Sequence, residues 1–470
     1  MIDIPRVILS GTSSRVGKTM ISIGLMRALV NRGYRVQPYK VGPDFIDPSF
    51  HYFATGRHSR NLDSFMLTRH DIIETFERNF RNADIAVIEG TMGLHDSHHA
   101  TDEKGSTAEV SKILKCPVIL IANVERMSRT VAPFIYGYKV FDPEVRIEGV
   151  ILNRVGSERH ANKARLAAEK LAKMKVVGVI PRRKDVVIPD RHLGLIPAYE
   201  RREEFEQLFD RLAELVEKYV NIDEIIKIAE KAPPLQEVPE HPVFKEGREK
   251  RRGKRKKAGR RARIGVLRDR SFNFYYQDNI DAISARAEVV VIDSLEDRKL
   301  PDVDALYIGG GFPEIFAEEL EKNRSLRRDI YEFCDSGKPV YAECGGLMFL
   351  GEKLRLIDGS EYEMVGFMPY ETEMHRKFQA LGYSIYRCER SSIVARKGDV
   401  VLGHEFHYSR VIPREKLEFT YRVKRGKGID GERDGAIKKN TVVNYVHVHV
   451  LSYPTLVRRF VSYAEKMAVV

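Results

Sequence analysis

With 470 residues, the chain is long enough for two or three domains, each with its own hydrophobic core. Its 4 cysteines form no Cys-x-x-Cys pair, its N-terminal apolar run is too short for a signal peptide, and no apolar stretch approaches the ~20 residues of a membrane span. The composition therefore argues against a disulfide framework, a structural zinc site and a membrane partner, and it favours a cytoplasmic protein. The net charge of +12 is mostly local, because residues 245–263 alone hold 12 Lys and Arg and 2 Glu.

The N-terminal half alternates strand and helix patterns. Short runs rich in Val and Ile predict buried strands, and amphipathic runs between them predict helices. Alternation of this kind predicts a mostly parallel, doubly wound sheet of the α/β class. The predicted strands are RVILS, RVQPYK, DIAVIEG, PVILIAN, IEGVILN and VVGVI.

Residues 226–263 are predicted to form a linker. The segment KAPPLQEVPEHP contains repeated prolines, which block both helix and sheet. The basic run 245–263 follows, and a block of like charge usually stays solvated. No aromatic residue interrupts this run, so we expect a tether and no nucleic-acid partner. The predicted domains are 1–225 and 264–470, on either side of the linker.

The C-terminal half is predicted to be a second α/β domain. Its first strands are RIGVLRD, AEVVVID, DALYIGGG and PVYAECGG. A β-rich stretch with many Tyr and Phe follows, and NYVHVHV precedes a final helix. A strand through NYVHVHV would place two histidines on one face.

Cys344 stands in PVYAECGGLMFLG, where a predicted strand turns into a predicted helix through two glycines. A strand–nucleophile–helix elbow exposes its side chain at the edge of a sheet, beside helix N–H groups that are expected to lower the pKa of a thiol. The alternative is a small buried hydrophobic residue, which describes many free cysteines. The other three cysteines lack this setting, so Cys344 is the predicted nucleophile.

The segment GTSSRVGKT follows the first predicted strand and opens a helix. Such a loop presents backbone N–H groups to phosphates, while its lysine reaches the outer phosphates and its hydroxyl binds Mg²⁺. The strict spacing of this motif would need glycine at the position of Thr12. The predicted nucleotide-binding residues are Gly11, Thr12, Ser13, Gly17, Lys18 and Thr19.

Polar clusters end the next two predicted strands. KVGPDFIDP ends the second strand and EGTMGLHD ends the third. The carboxyl ends of strands in an open α/β sheet bind ligands, so these acidic residues predict Mg²⁺ binding and handling of a phosphorylated intermediate. The alternative is ordinary turn chemistry, because Asp, Gly and Pro favour loops.

Taken together, the chain resembles the cobyrinic acid a,c-diamide synthases and the related nickel-sirohydrochlorin a,c-diamide synthases of methanogens, nearly end to end. The resemblance is carried by GTSSRVGKT, KVGPDFIDPSFH, EGTMGLHD, LNRVGSERH, GGGFPE, AECGGLMFL, GHEFHYS and NYVHVH, in that order. It implies a dethiobiotin-synthetase-like P-loop domain followed by a class I glutamine-amidotransferase-like α/β domain. The basic run is an insertion relative to the family pattern.

The resemblance implies a glutamine-hydrolysing carbon–nitrogen ligase that uses ATP as co-substrate and Mg²⁺ as cofactor. It would amidate the a and c acetate side chains of a tetrapyrrole through acyl-phosphate intermediates. The central ion, cobalt or nickel, stays open, and a homodimer is compatible with the sequence. The alternatives are a cobyric acid synthase acting on other side chains, or a P-loop regulatory or partitioning ATPase whose basic run binds DNA.

The resemblance also assigns roles in the N-terminal half. Lys18 would contact the nucleotide, Thr19, Asp44 and Glu89 would bind Mg²⁺, and Asn153 would contact adenine. Asp44 would also line the acyl-phosphate site.

The remaining substrate residues implied by the resemblance lie in both halves. Lys40, Asp47 and Asp96 would face the carboxylate that becomes phosphorylated. His404 and His407 in GHEFHYS would face the tetrapyrrole or glutamine, and a structural role at the end of a strand is an equal alternative.

In the C-terminal half the resemblance makes Cys344 the glutaminase nucleophile and His447 its base. The loop Gly309–Glu314 would supply N–H groups to the oxyanion. Ordinary class I members carry Glu two residues after the histidine, but this chain has His449 there. The third member of the triad is therefore open, and a Cys–His dyad is the alternative.

Overall fold

The computed structural model describes residues 1–183, 190–191, 194–195, 202–245 and 260–468. The chain forms two compact units, Met1–Glu240 and His241–Val470. Most of the predicted tether, residues 246–259, lies outside the described residues. Among the helices in the described part of the chain, none combines the length and apolarity needed to cross a bilayer.

The N-terminal unit is built on one seven-stranded sheet. The order of its strands is β3-β2-β4-β1-β5-β6-β7, and every neighbouring pair is parallel. This arrangement confirms the predicted doubly wound sheet and places the carboxyl ends of all strands at one edge. The strands of this unit, including a short antiparallel pair β8 and β9, are β1 (Arg6–Gly11), β2 (Val36–Val41), β3 (Arg60–Leu62), β4 (Ile85–Gly93), β5 (Val118–Asn123), β6 (Ile147–Val155), β7 (Val176–Pro181), β8 (Asp190–Arg191) and β9 (Gly194–Leu195).

Helices cover this sheet, and apolar side chains between helices and strands form the core. The helices are α1 (Lys18–Asn31), α2 (Ile46–Thr55), α3 (Arg69–Phe80), α4 (Thr107–Ile113), α5 (Val131–Phe141), α6 (Glu158–Leu166), α7 (Arg202–Tyr219) and α8 (Ile222–Glu230), with a π-helical turn at Ala167–Leu171. Helix α8 runs across residue 225, where the sequence analysis placed the end of the first domain. Beyond it, Leu235 is buried and pairs with Ile2, so part of the predicted linker belongs to the N-terminal unit.

The C-terminal unit contains a mixed nine-stranded sheet in the order β12-β10-β13-β15-β24-β23-β22-β19-β20. Its first five strands are parallel neighbours, and the remaining pairs are antiparallel. The strands of this unit are β10 (Arg263–Leu267), β11 (Phe272–Phe274), β12 (Glu288–Ile292), β13 (Ala305–Ile308), β14 (Gly310–Gly311), β15 (Val340–Glu343), β16 (Lys353–Arg355), β17 (Glu361–Glu363), β18 (Tyr370–Met374), β19 (Ala380–Cys388), β20 (Val400–His407), β21 (Ser409–Pro413), β22 (Glu418–Arg425), β23 (Arg433–Lys438) and β24 (Thr441–Asn444).

The helices of the C-terminal unit are α9 (Gln277–Ser284), α10 (Ala317–Lys322), α11 (Arg324–Asp335), α12 (Gly345–Leu350) and α13 (Thr455–Met467), with a 3₁₀ turn at Pro313–Phe316. Strands β15 and β24 are parallel neighbours, and Glu343 is in register with Asn444. The segments that follow these two strands therefore emerge side by side at the same edge of the sheet.

Candidate active sites

The phosphate loop of the N-terminal unit connects β1 to α1. The backbone of Gly17 is left-handed, with φ of 99°, and Arg15 has φ of 61°. Lys18 Nζ donates to the carbonyl of Ser13 at 3.1 Å, so the lysine side chain folds back onto the phosphate loop. Burial, followed by the nearby charge of Lys40, lowers the pKa of Lys18. A bound phosphate would favour the charged lysine.

A buried cluster of charges stands at the ends of β2 and β4, beside this loop. Lys40 Nζ lies 2.6 Å from Asp47 Oδ2, 3.1 Å from Glu89 Oε1 and 3.9 Å from Asp44 Oδ2. Burial opposes the charged form of Lys40, but the carboxylates of Asp47 and Glu89 raise its pKa above the ordinary value. Lys40 is therefore a fixed cation among acids.

The pKa values of the two buried acids of the cluster shift in opposite directions. Burial, together with Asp44 and Glu89, raises the pKa of Asp47 well above its ordinary value. Burial would do the same to Glu89, but Lys40 and His51 hold the pKa of that carboxyl below its usual range. The surroundings thus favour the charged form of Glu89 more strongly than that of Asp47.

His51 is a member of this cluster that the sequence analysis did not single out. Its Nε2 lies 2.7 Å from Glu89 Oε2, its Nδ1 lies 3.0 Å from Ser59 Oγ, and the ring is fully buried. The residue stands in KVGPDFIDPSFH, the motif that already carried the family resemblance. A histidine one turn after Asp47 on α2 was the available signal.

The cluster offers oxygen atoms of the kind that Mg²⁺ prefers. Thr19 Oγ1 donates to Glu89 Oε1 at 2.7 Å and lies 3.5 Å from Asp47 Oδ2. No group of three or more His, Cys, Asp and Glu side chains among the described residues could hold a metal by itself. Mg²⁺ commonly uses one or two carboxylates with waters and substrate phosphates, so Thr19, Glu89 and Asp47 fit such a site.

Asp44 belongs to the edge of the cluster, since its Oδ2 lies 3.9 Å from Lys40 Nζ and its side chain lies next to Asp47. Asp47 is a second carboxylate near Thr19, while Asp44 Oδ1 accepts the N–H of Ile46 at 2.9 Å. Asp96 Oδ2 likewise accepts a backbone N–H, from Gly93 at 2.7 Å. Asp44 and Asp96 therefore shape the turns around the cluster.

Asn153, on β6, lies next to the phosphate loop. Its Nδ2 donates to the carbonyl of Val16 at 2.8 Å. Tyr138, on α5, donates from its hydroxyl to the carbonyl of Thr12, a contact that the sequence did not reveal. Both side chains hold the loop in its shape.

In the C-terminal unit Cys344 forms the expected elbow between β15 and α12. Its backbone has φ of 48° and ψ of −99°, a conformation that non-glycine residues rarely adopt. A Cβ on Gly346 would lie 2.5 Å from the carbonyl of Ile308, so only glycine permits this approach of helix and strand. The Cys344 Sγ lies 3.5 Å from the carbonyl oxygen of Phe406, and the side chain is buried.

The expected lowering of the Cys344 pKa is wrong for this structure. Burial and the carboxylate of Glu314 raise the pKa of the thiol, and the backbone N–H of Gly345 opposes this only in part. Resting Cys344 is therefore a neutral thiol and needs a base to become a nucleophile.

The glycine-rich loop after β13 lies next to this elbow. The N–H of Gly309 donates to the hydroxyl of Tyr275 at 2.7 Å, and the N–H of Phe312 donates to the carbonyl of Ser271 at 3.0 Å. These two N–H groups are engaged inside the unit. The N–H of Gly345, which faces the thiol, was not named in the sequence analysis.

The segment with the two histidines is not a continuous strand. Strand β24 ends at Asn444, and the carboxylate of Asp434 accepts the N–H groups of Tyr445 and Val446 at 3.2–3.3 Å. Directly after Asn444, these backbone N–H groups therefore bond to a side chain and not to a neighbouring strand. The expectation that His447 and His449 share one face of a strand is therefore wrong.

Each histidine faces a different carboxylate. His447 Nδ1 lies 3.6 Å from Glu343 Oε2, and both side chains are buried. His449 Nε2 lies 3.5 Å from Asp278 Oδ2, on α9. Glu343 was missed because the sequence analysis assigned it to a short apolar strand.

His404 and His407 lie in β20, beside the same segment. The backbones of His404 and His447 exchange two hydrogen bonds, at 3.0 and 2.8 Å. His407 stacks on Tyr445 with ring centroids 3.6 Å apart, and its Nε2 lies 3.4 Å from Glu405 Oε2. The end of β20 thus supports the segment that carries His447.

Models of two families match the two halves of the chain. Residues 7–196 match the CobQ/CobB/MinD/ParA nucleotide binding domain, and residues 263–455 match the CobB/CobQ-like glutamine amidotransferase domain. A solved structure of a glutamine amidotransferase aligns with 43% of this chain and 98% of its own, at 15% identity and a TM-score of 0.32.

Relatives with curated names match the chain over nearly its full length. The cobyrinate a,c-diamide synthase of Archaeoglobus fulgidus is 62% identical, over 99% of this chain and 98% of its own. The cobyrinate a,c-diamide synthase of Methanosarcina acetivorans is 43% identical, over 99% of this chain and 96% of its own. The chain therefore belongs to the cobyrinate a,c-diamide synthase family, a family of glutamine-hydrolysing amidating ligases.

Proposed function

We propose that this enzyme uses ATP and glutamine to amidate the a and c acetate side chains of a tetrapyrrole, with cobyrinic acid as the substrate. The observation that carries the proposal is the presence in one chain of a phosphate loop beside a buried acidic cluster and of a cysteine elbow beside a histidine. The similarity to cobyrinate a,c-diamide synthases supports the choice of macrocycle. A P-loop regulatory ATPase, the alternative function, would not need the cysteine elbow.

The glutaminase half-reaction would begin at Cys344. The thiol is neutral at rest, so His447 takes its proton as the sulfur attacks the amide carbon of glutamine. The N–H of Gly345 would stabilise the oxyanion. The proton then passes to the departing ammonia, and water hydrolyses the thioester to glutamate.

The ligase half-reaction would take place at the phosphate loop. An acetate carboxylate of the macrocycle attacks the γ-phosphorus of ATP, giving an acyl phosphate and ADP, and ammonia then displaces phosphate to form the amide. Lys18 would hold the transferred phosphoryl group. Mg²⁺, when bound by Thr19, Glu89 and Asp47, would offset the negative charge of the phosphates.

The compartment of the enzyme is inferred from its thiols. Its four cysteines are all free and buried, which supports a reducing cytoplasm.

The test separates the two half-reactions by the nitrogen source. Cys344→Ala should lose amidation with glutamine and keep amidation with ammonium at high pH, because the ligase site needs only NH₃. Lys18→Met should lose amidation with either source and keep glutamine hydrolysis. Mass analysis of products from cobyrinic acid and nickel-sirohydrochlorin, assayed side by side, identifies the substrate. Loss of ammonium-dependent amidation in a folded Cys344→Ala variant, or amidation by Lys18→Met, would contradict the proposal.

A further inference from the structure

We propose that Glu343, the residue directly before the nucleophile, is the carboxylate that positions His447 during glutamine hydrolysis. This inference rests on the proposed glutaminase activity. It replaces the open third member of the triad with a residue on β15 instead of one that follows His447 in the chain.

The first support is the geometry of the imidazole. Glu343 Oε2 lies 3.6 Å from His447 Nδ1, and the histidine side chain has no exposed surface. The Cε1–Nε2 edge of the ring lies against the glycine-rich loop, because a Cβ on Gly310 would lie 2.5 Å from His447 Cε1 and 3.2 Å from Nε2. The ring is therefore held between a carboxylate at Nδ1 and a backbone at Nε2.

The second support is that Glu343 is itself fixed. Its Oε1 accepts the hydroxyl of Tyr341 at 2.8 Å and the N–H of Val448 at 3.3 Å. Its Oε2 accepts the hydroxyl of Tyr307 at 2.9 Å. Burial, with the charge of Glu343, raises the pKa of both tyrosines well above the ordinary value, so both hydroxyls remain donors. A carboxylate held by three donors has one orientation towards the histidine.

The third support is that His449, which stands where ordinary class I members carry Glu, pairs with a different carboxylate, that of Asp278. His449 Nδ1 accepts the N–H of Leu451 at 3.2 Å, which places the proton of the neutral ring on Nε2. That Nε2 faces Asp278 Oδ2 at 3.5 Å. His449 therefore cannot offer His447 a negative charge.

The chemical consequence concerns the tautomer of His447. A carboxylate at Nδ1 favours the tautomer with hydrogen on Nδ1, which makes Nε2 the basic atom. The proton of Cys344 then moves from sulfur to Nε2, and Glu343 stabilises the resulting imidazolium without taking its proton. Glu343 is a positioning residue in this scheme and does not touch glutamine.

The experiment compares Glu343→Gln with Asp278→Asn in the full chain. Both changes replace a buried carboxylate beside a histidine with its amide. We expect Glu343→Gln to lower kcat for glutamine hydrolysis by about 10²- to 10⁴-fold with KM nearly unchanged, because the acting tautomer is lost. Glu343→Asp should recover part of kcat, and Asp278→Asn should retain it. Ammonium-dependent amidation should persist in all three variants.

A wild-type kcat in Glu343→Gln, or an equal loss in Asp278→Asn, would overturn the inference. If Glu343→Gln does not fold, the variant Tyr307→Phe tests the inference instead. It removes the hydroxyl that donates to Glu343 Oε2, the oxygen that faces His447, and it keeps the aromatic ring of residue 307. Its kcat should fall about 10-fold at constant KM, and an unchanged kcat would count against the role. Failure of the proposed function is distinct, because the wild-type enzyme would then hydrolyse no glutamine.

Discussion

At the scale of single residues, surroundings decide what a side chain can do. His447 and His449 are two positions apart and both are buried, yet the first lies against the carboxylate that adjoins Cys344 and the second against α9. The turn that Asp434 stabilises after β24 thus gives two identical side chains different surroundings. The elbow backbone of Cys344 is a second case, because its φ of 48° aims the thiol.

This difference between the histidines leads to a prediction. His447→Ala should lower glutaminase turnover by about 10²- to 10⁴-fold, because a positioned base is lost. His449→Ala should lower turnover less and should mainly lower the thermal unfolding temperature. Steady-state glutaminase assays and thermal unfolding of both variants make the comparison. Reversal of the order in kcat would mean that His449 is the base.

At the scale of elements, the sequence patterns identified the local structure well. The six strands predicted in the N-terminal half correspond to β1, β2, β4, β5, β6 and β7, because buried parallel strands are runs of Val and Ile. The three-residue strand β3 was missed, since it is too short for any periodicity. The strand predicted through NYVHVHV was too long, because the cap that ends it comes from Asp434, on β23.

The candidate sites divide in the same way. Lys18 and Cys344 were predicted as site residues because a phosphate loop or a cysteine elbow is recognisable within a few residues of sequence. Glu343 and His51 were not predicted, because their contacts with His447 and Glu89 join residues that are 104 and 38 positions apart along the chain. A pattern within one segment cannot report such a contact.

A prediction at this scale concerns Glu405, which links β20 to β19 and to the turn after β22. Burial favours its protonated form, but hydrogen-bond donors lower the pKa of Glu405 from 4.5 to about 2. The donors are the side chains of Ser384, Tyr386 and His407 and the N–H groups of Lys427 and Gly428. Because the folded-state pKa is depressed, this stabilisation is present above about pH 4.5 and is lost as the pH falls towards 2.

We expect Glu405→Gln to lower the free energy of unfolding by about 3 kcal/mol at neutral pH, and the difference from wild type should shrink below pH 4.5. Denaturant titrations at several pH values measure it, with the exposed Glu415→Gln as control. A difference that does not change with pH would contradict the assignment.

At the scale of the whole molecule, the basic run falls within the second compact unit, His241–Val470, and not between the two units. Its described end is part of the C-terminal unit, because Arg260 donates two hydrogen bonds to Asp304, at 2.8 and 2.7 Å. The N–H of Arg263 donates to the same carboxylate at 2.8 Å. The predicted tether therefore stops before Arg260.

Deleting residues 247–258 should leave glutamine hydrolysis and ammonium-dependent amidation nearly intact, since neither half-reaction uses a residue of the run and loop length costs little entropy. Amide formed per glutamine hydrolysed is the measurement, and a Gly/Ser segment of equal length is the control. A longer deletion through residue 262 should lower the thermal unfolding temperature, because it removes Arg260 from Asp304. If the shorter deletion abolishes the coupling and the Gly/Ser replacement does not restore it, the run takes part in ammonia transfer.

Strand β24 follows every other strand of the C-terminal unit in the chain, yet it lies in the interior of the sheet, beside β15. If Cys344 is the nucleophile and His447 its base, as proposed, a ribosome releases the nucleophile about a hundred residues before the base. Until β24 inserts, the growing chain would then hold Cys344 without His447 and would not cleave glutamine. Glutamine hydrolysis would begin only after synthesis of the unit is nearly complete.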